Sequence, residues 1–125
     1  MIWLAVGAGG AVGSMARHGV NIFFGHVLER ATPYATASVN LFGSAVIGLL
    51  AALIATGRLH LSAEMRTFVF VGILGGFTTF SSFMLDTFTL SQSGDHTTAF
   101  WNVALQTACG LAAVWSGYRL GMLIG

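Results

Sequence analysis

Gly75-Gly76-Phe77-Thr78-Thr79-Phe80-Ser81-Ser82-Phe83 decides how this chain is read. The stretch sits inside a hydrophobic run long enough to cross a bilayer. It opens on two glycines and carries four hydroxyl side chains among three phenylalanines. A helix that only faces lipid has no use for that mixture. Paired glycines and mid-membrane Ser/Thr predict a helix that breaks and turns polar backbone inward. Irregular backbone at membrane depth is tolerated only where it is buried in protein or lines a cavity.

The surrounding composition places the stretch in a membrane. Of 125 residues, 55% are hydrophobic and 7% charged, against about a quarter charged in a soluble domain. Net charge is +1, with Arg17, Arg30, Arg58, Arg66 and Arg119 as the cations and no lysine. No basic field argues for nucleic acid. The lone Cys109 cannot form a disulfide within the chain. A span needs about 20 mostly apolar residues. Four stretches qualify: Met1 to Val27, Tyr34 to Thr56, Thr67 to Leu90 and Thr98 to Ile124. The first lacks a charged lead and reads as a span, not a cleaved signal. The expectation is one all-α, four-span membrane domain over residues 1–125, with the third helix broken. Glu29 to Pro33, Gly57 to Arg66 and Ser91 to Thr97 connect the spans, and Ser62 is a candidate cap for a short lead-in turn. Ala5/Gly9/Gly13, Ser44/Gly48 and Gly117/Gly121/Gly125 are small residues four apart, which suit close helix packing. Gly7 to Gly13 is no nucleotide fingerprint, because Val12 stands where a glycine is required and no strand precedes it.

With four spans, Arg58, Arg66 and Arg119 share one side, against Arg30 and Arg17 on the other. So weak a bias sets no firm orientation. Insertion in both orientations is the expectation, with two chains paired antiparallel about a two-fold axis in the membrane plane. The third span has its midpoint between Thr78 and Thr79, where that axis would run. Freed carbonyls from Gly75 to Thr78 of both chains could converge there on a hard cation such as sodium. The alternative is a kink whose carbonyls are satisfied by Ser/Thr hydroxyls.

Beyond the break, Phe80 and Phe83 share a helical face. Their rings have partly positive edges that can touch an anion without trapping it; the alternative is simple packing. Thr79, Ser81 and Ser82 beside them favour a pore. Asn40 in the second span has an NH2 suited to an anion, or to an interhelical hydrogen bond. Asn102 and Gln106, four apart, form a polar track on the fourth span or serve as bundle glue. Arg17 lies in the interior half of the first span. It draws anions into a vestibule or snorkels to the interface. Asp86 reads as interfacial, paired with an arginine. His18, His26, His60 and His96 show no metal-ligand spacing, and no catalytic set is present, so an enzyme is not expected.

Taken together these residues resemble the small dual-topology fluoride channels, Fluc or CrcB, over essentially the whole chain. Gly9-Gly10-Ala11-Val12-Gly13 followed by Arg17 is similar to that family's first-span signature. Pro33, Thr36, Asn40, Gly43, Ser44 and Gly48 are similar to the second, and Gly75 to Phe83 to the third. The resemblance implies an antiparallel homodimer with two pores, and a central structural sodium held by main-chain oxygens of Gly75 and Thr78. It implies fluoride contacts from Phe80, Phe83 and Asn40, with Thr79 and Ser81 adjoining, and Arg17 in the vestibule. The implied role is passive fluoride export across a bacterial inner membrane. Asn102 and Gln106 stand where the family often has Tyr and Ser, and Asp86 where Glu is usual. The alternative function is a small multidrug-type cation/proton transporter. That needs an intramembrane acid, and the first span offers Arg17 without Asp or Glu. A third reading, a structural subunit packed by glycine faces, predicts no transport.

Overall fold

The computed structural model describes residues 1–29 and 32–125, with the backbone alone of Thr32. Arg30, one of the cations in the charge comparison, lies outside the described residues. Every described element is a helix. Helix α1 (Ile2–Ile22) runs on as a π-helical segment, Phe23–Val27. Helix α2 is Thr32–Ala55. The stretch expected as the third span, and so called below, begins with short α3 (Ala63–Arg66), passes through a second π segment (Thr67–Leu74) and ends its first half as α4 (Gly75–Phe77). Its second half is α5 (Phe80–Gln92), and α6 (His96–Ile124) closes the chain.

Side-chain caps set two of the boundaries. Ser62 accepts from the Met65 N–H at 3.1 Å, so the third span starts at Ala63, before the expected Thr67. Asp95 accepts from the Thr98 N–H at 3.1 Å, so α6 starts at His96, not Thr98. Hydrogen bonds from the Thr98 side chain and N–H hold the Asp95 carboxyl below its ordinary range. Gly57 (φ +72) and Gly94 (φ +86) turn the chain after α2 and after α5. Glycine enters that left-handed region without the penalty a Cβ brings.

The break is not where the glycines stand. Gly75 and Gly76 are helical, and the chain opens two residues after the pair, at Thr78. Thr78 (φ −85, ψ 158) and Thr79 (φ −152, ψ 121) are extended. The break thus opens at the expected midpoint, and of the glycines and hydroxyl residues expected to mark it, the hydroxyl residues form it. Gly76 instead permits close approach, because a Cβ there would lie 2.8 Å from the Gly10 carbonyl oxygen. Gly72 does the same against the Gly9 Cα, also at 2.8 Å. On α1, a Cβ at Gly13 would collide with the Ile73 carbonyl and lie 2.9 Å from the Phe77 nitrogen. So α1 packs backbone-to-backbone on the first half of the third span. Helices α2 and α6 form the other close pair. A Cβ on Gly48 would strike the Val114 carbonyl, and one on Gly117 the Ala45 carbonyl.

The interior is small: Ala35, Val39, Ala52, Leu74, Phe83 and Ala99 are its buried apolar residues. Large apolar side chains such as Trp3, Met15, Phe42, Leu111 and Trp115 face outward. Pro33–Ala55 and Ala63–Gln92 are each long and apolar enough to cross a membrane, yet only 22% of each hydrophobic window is buried within the chain. Neither is the core helix of a water-soluble fold, and lipid is the surrounding that matches this surface. The protein is a helical membrane protein.

Candidate functional site

The extended Thr78–Thr79 pair takes backbone groups out of the helical ladder, and α2 meets them. The Thr79 N–H donates to Asn40 Oδ1 at 2.8 Å, and Asn40 Nδ2 donates back to the Thr79 carbonyl at 3.1 Å. One amide side chain thus satisfies both backbone polar groups of one residue that has left the helical ladder, as a neighbouring strand would. The next turn is restarted by Thr79 itself, whose Oγ1 accepts from the Ser82 N–H at 3.1 Å. Ser81 Oγ lies 3.3 Å from the same hydroxyl. Thr78 turns its hydroxyl back to the Leu74 carbonyl at 2.9 Å. Its methyl fills the space where a Cβ on Gly43 would be.

From Asn40 a line of amides crosses to α6. Asn40 Nδ2 also donates to Gln106 Oε1 at 3.0 Å. Gln106 Nε2 donates to Asn102 Oδ1 at 2.9 Å. Asn102 Nδ2 donates to Thr87 Oγ1 at 3.0 Å, and Thr87 Oγ1 donates to the Phe83 carbonyl at 2.9 Å. Thr79 and Gln106 are each only 8% exposed. Polar groups at that depth hold their partners strongly. The spacing of Asn102 and Gln106 marks them as one face, but their partners come from other helices. Thr87 has no prominence in the sequence beyond lying four residues after Phe83, within reach of its carbonyl.

Asn40, Thr79, Gln106, Phe80 and Phe83 meet at one cavity of about 410 Å³, with Gly75 and Thr78 on its wall. Phe80 and Phe83 pack edge to face, centroids 6.0 Å apart and planes at 85°. Their settings differ: Phe83 is 8% exposed, whereas Phe80 is 73% exposed within the single chain. Ser81 and Asn102 adjoin the cavity residues through Thr79 and Gln106 without lining it. The half-buried Arg17 comes across from α1, and its Nη1 lies 3.4 Å from the Thr78 carbonyl oxygen. Asp86 has one carboxylate oxygen buried without a partner. Its expected pairing with an arginine does not form among the described residues.

The hydrogen-bond count decides what each amide can offer. Both hydrogens of Asn40 Nδ2 are committed, to Thr79 and to Gln106. Gln106 Nε2 and Asn102 Nδ2 each use one hydrogen and retain the other. The free donors along the track are therefore on α6, with the aromatic edges beside them.

The sequence model of the family described as "CrcB-like protein, Camphor Resistance (CrcB)" matches residues 4–118. The chain is 43% identical over 122 residues to the fluoride-specific ion channel FluC 1 of Symbiobacterium thermophilum, covering 97% of this chain and 98% of that one. It is 48% identical over 120 residues to the fluoride-specific ion channel FluC of Paracoccus denitrificans, covering 95% and 93%. The corresponding protein of Paramagnetospirillum magneticum is 41% identical over 125 residues, covering 99% and 98%.

Proposed function

The chain belongs to the CrcB-like protein family, and from that premise we propose that it is a fluoride channel and not an enzyme. The observation that carries the reading is a helix break held open by an asparagine, beside free N–H donors and two phenyl rings. Fluoride is small and strongly hydrated, so a narrow path must replace its water with donors. The spare hydrogens of Gln106 and Asn102, the Ser81 hydroxyl and the edges of Phe80 and Phe83 are such donors. None bears a full charge, so none holds the ion too tightly to release it. Asn40 works mainly by fixing Thr79, and touches fluoride only by giving up one of its two partners. Arg17, a permanent cation beside the break, raises the local anion concentration at the vestibule.

The working unit we propose is an antiparallel homodimer of four-span chains in a bacterial inner membrane, with one pore per chain and passive export of fluoride. The main-chain oxygens of Gly75 and Thr78 suit a sodium ion at the joint. With the Thr79 N–H given to Asn40, the Gly75 carbonyl takes no backbone N–H among the described residues. Among the described residues the Thr78 carbonyl has only its long contact with Arg17. Under-used carbonyl oxygens are hard-cation donors. One chain offers too few, so both copies would contribute. Bound there, sodium would neutralise converging carbonyl dipoles and tie the chains together.

Liposomes loaded with potassium fluoride test the reading. With a potassium ionophore balancing charge, the purified protein should release fluoride rapidly and leave chloride inside. No release, or equal release of chloride, rejects it. Phe80→Ile and Phe83→Ile should each slow release by roughly tenfold, the scale of one lost favourable contact at the barrier, while the protein still purifies. Unchanged rates in both would remove the aromatic edges from the path. A cysteine label at the carboxyl terminus should react from both faces of intact membranes if the chains are antiparallel; labelling from one face alone rejects that arrangement.

A further inference from the structure

We propose that Thr87 is a positioning residue for the anion path, holding the relay Asn40–Gln106–Asn102 in the one orientation that leaves donors free. The inference rests on the fluoride-channel reading and adds a residue to it. Thr87 lies one turn beyond Phe83 on α5 and is half-buried.

Amide side chains are nearly symmetric in shape, so their orientation is decided by what they meet. This relay is decided at both ends. At one end the Thr79 N–H can only donate and the Thr79 carbonyl can only accept, which fixes Asn40 with Oδ1 and Nδ2 as they stand. Asn40 Nδ2 then makes Gln106 Oε1 an acceptor, and Gln106 Nε2 makes Asn102 Oδ1 an acceptor. At the other end the Phe83 carbonyl can only accept, so the Thr87 hydroxyl gives its hydrogen there. The lone pairs of that hydroxyl are left to receive Asn102 Nδ2. Both ends demand the same direction. Each amide passes one N–H onward along the line toward Thr87, and Asn40 gives its other to the break.

Thr87 closes the line. Without its hydroxyl, Asn102 Nδ2 has no acceptor among these partners, and the Asn102 side chain is held only through Oδ1. It is then free to turn its NH2 off the track, and Gln106 loses the far support of its own partner. A hydroxyl that touches no ion in this arrangement would set where two ion-binding hydrogens point. The methyl of Thr87 has no part in this, so serine serves as well and valine does not.

The experiment compares Thr87→Val, of the same shape, with Thr87→Ser in the liposome assay. Fluoride release should fall roughly tenfold with valine, the scale of one lost hydrogen bond to a buried amide. Serine should restore it. In an Asn102→Ala background, Thr87→Val should cause no further loss, because the two act through one contact. Equal rates for valine and the unsubstituted protein overturn the proposal. So do equal losses with valine and serine, or additive losses in the double variant. Should the valine variant not purify, Thr87→Ala carries the same contrast. If the unsubstituted protein releases no fluoride, the channel reading fails, and the relay is judged separately. Side-chain amide NMR of Asn102 should then show faster hydrogen exchange with valine than with serine at position 87; identical exchange overturns it.

Discussion

Asn40→Ala should reduce fluoride release by about a hundredfold or more. The change strands the Thr79 N–H, the Thr79 carbonyl and Gln106 Oε1 together. Each stranded buried group costs about 1–3 kcal/mol, and about 1.4 kcal/mol is tenfold in rate. The break would lose the hydrogen-bonding brace that α2 gives it, and the relay its origin. Asn40→Asp is the sharper test, because it preserves shape. The oxygen replacing Nδ2 would face the Thr79 carbonyl and Gln106 Oε1, acceptor against acceptor. Gln106 could turn its amide to meet it only by breaking its bond to Asn102. A negative charge would also stand in the anion path. The aspartate variant should therefore be at least as slow as alanine. A rate for Asn40→Ala comparable to that of the unsubstituted protein would show that Asn40 neither braces the break nor organises the donors.

Gly13→Val should prevent recovery of folded protein. Its added atoms would meet the Ile73 carbonyl and the Phe77 nitrogen, both main-chain groups of the third span. Backbone cannot rotate aside as a side chain can, so the helices must separate. Overpacking a tight contact costs about 1–3 kcal/mol or more. Here it would also move the segment that leads into Thr78. Gly7→Val is the control on the same helix, since a Cβ there meets nothing within 4 Å inside the chain. The measurement is yield of monodisperse protein in detergent and its thermal midpoint. Equal recovery of the two variants would show that the α1 contact is looser than described.

The sequence made the broken span visible, with its midpoint at the Thr78–Thr79 pair that opens, but did not separate the glycines' part from that of the hydroxyl residues. Glycine pairs announce both freedom and thinness, and a single sequence does not separate the two. Gly76 is used for thinness, against α1. The break itself belongs to the hydroxyl residues, with Thr79 capping α5. The four-residue spacing of Asn102 and Gln106 was legible because both lie on one helix. That Asn40 commits both hydrogens, or that Thr87 ends the relay, was not legible, because those partners come from α2, α5 and α6 together. The π segments were equally hidden. An apolar run such as Thr67–Leu74 has no polar mark to reveal how tightly it is wound.

That winding bears on how the chain tolerates changes of length. Each π-type bond encloses one residue more than an α-type bond. The segment Thr67–Leu74 therefore carries slack in register upstream of the break. A residue lost there can be absorbed by rewinding to α-helix, with Thr79 still opposite Asn40. Helix α5 has no such reserve. One residue lost between Phe80 and Thr87 would rotate all that follows by about 100°. Thr87 would leave Asn102, although no atom of either had been altered. Deletions and insertions in the third span are thus confined to its first half, and the second half is metered residue by residue.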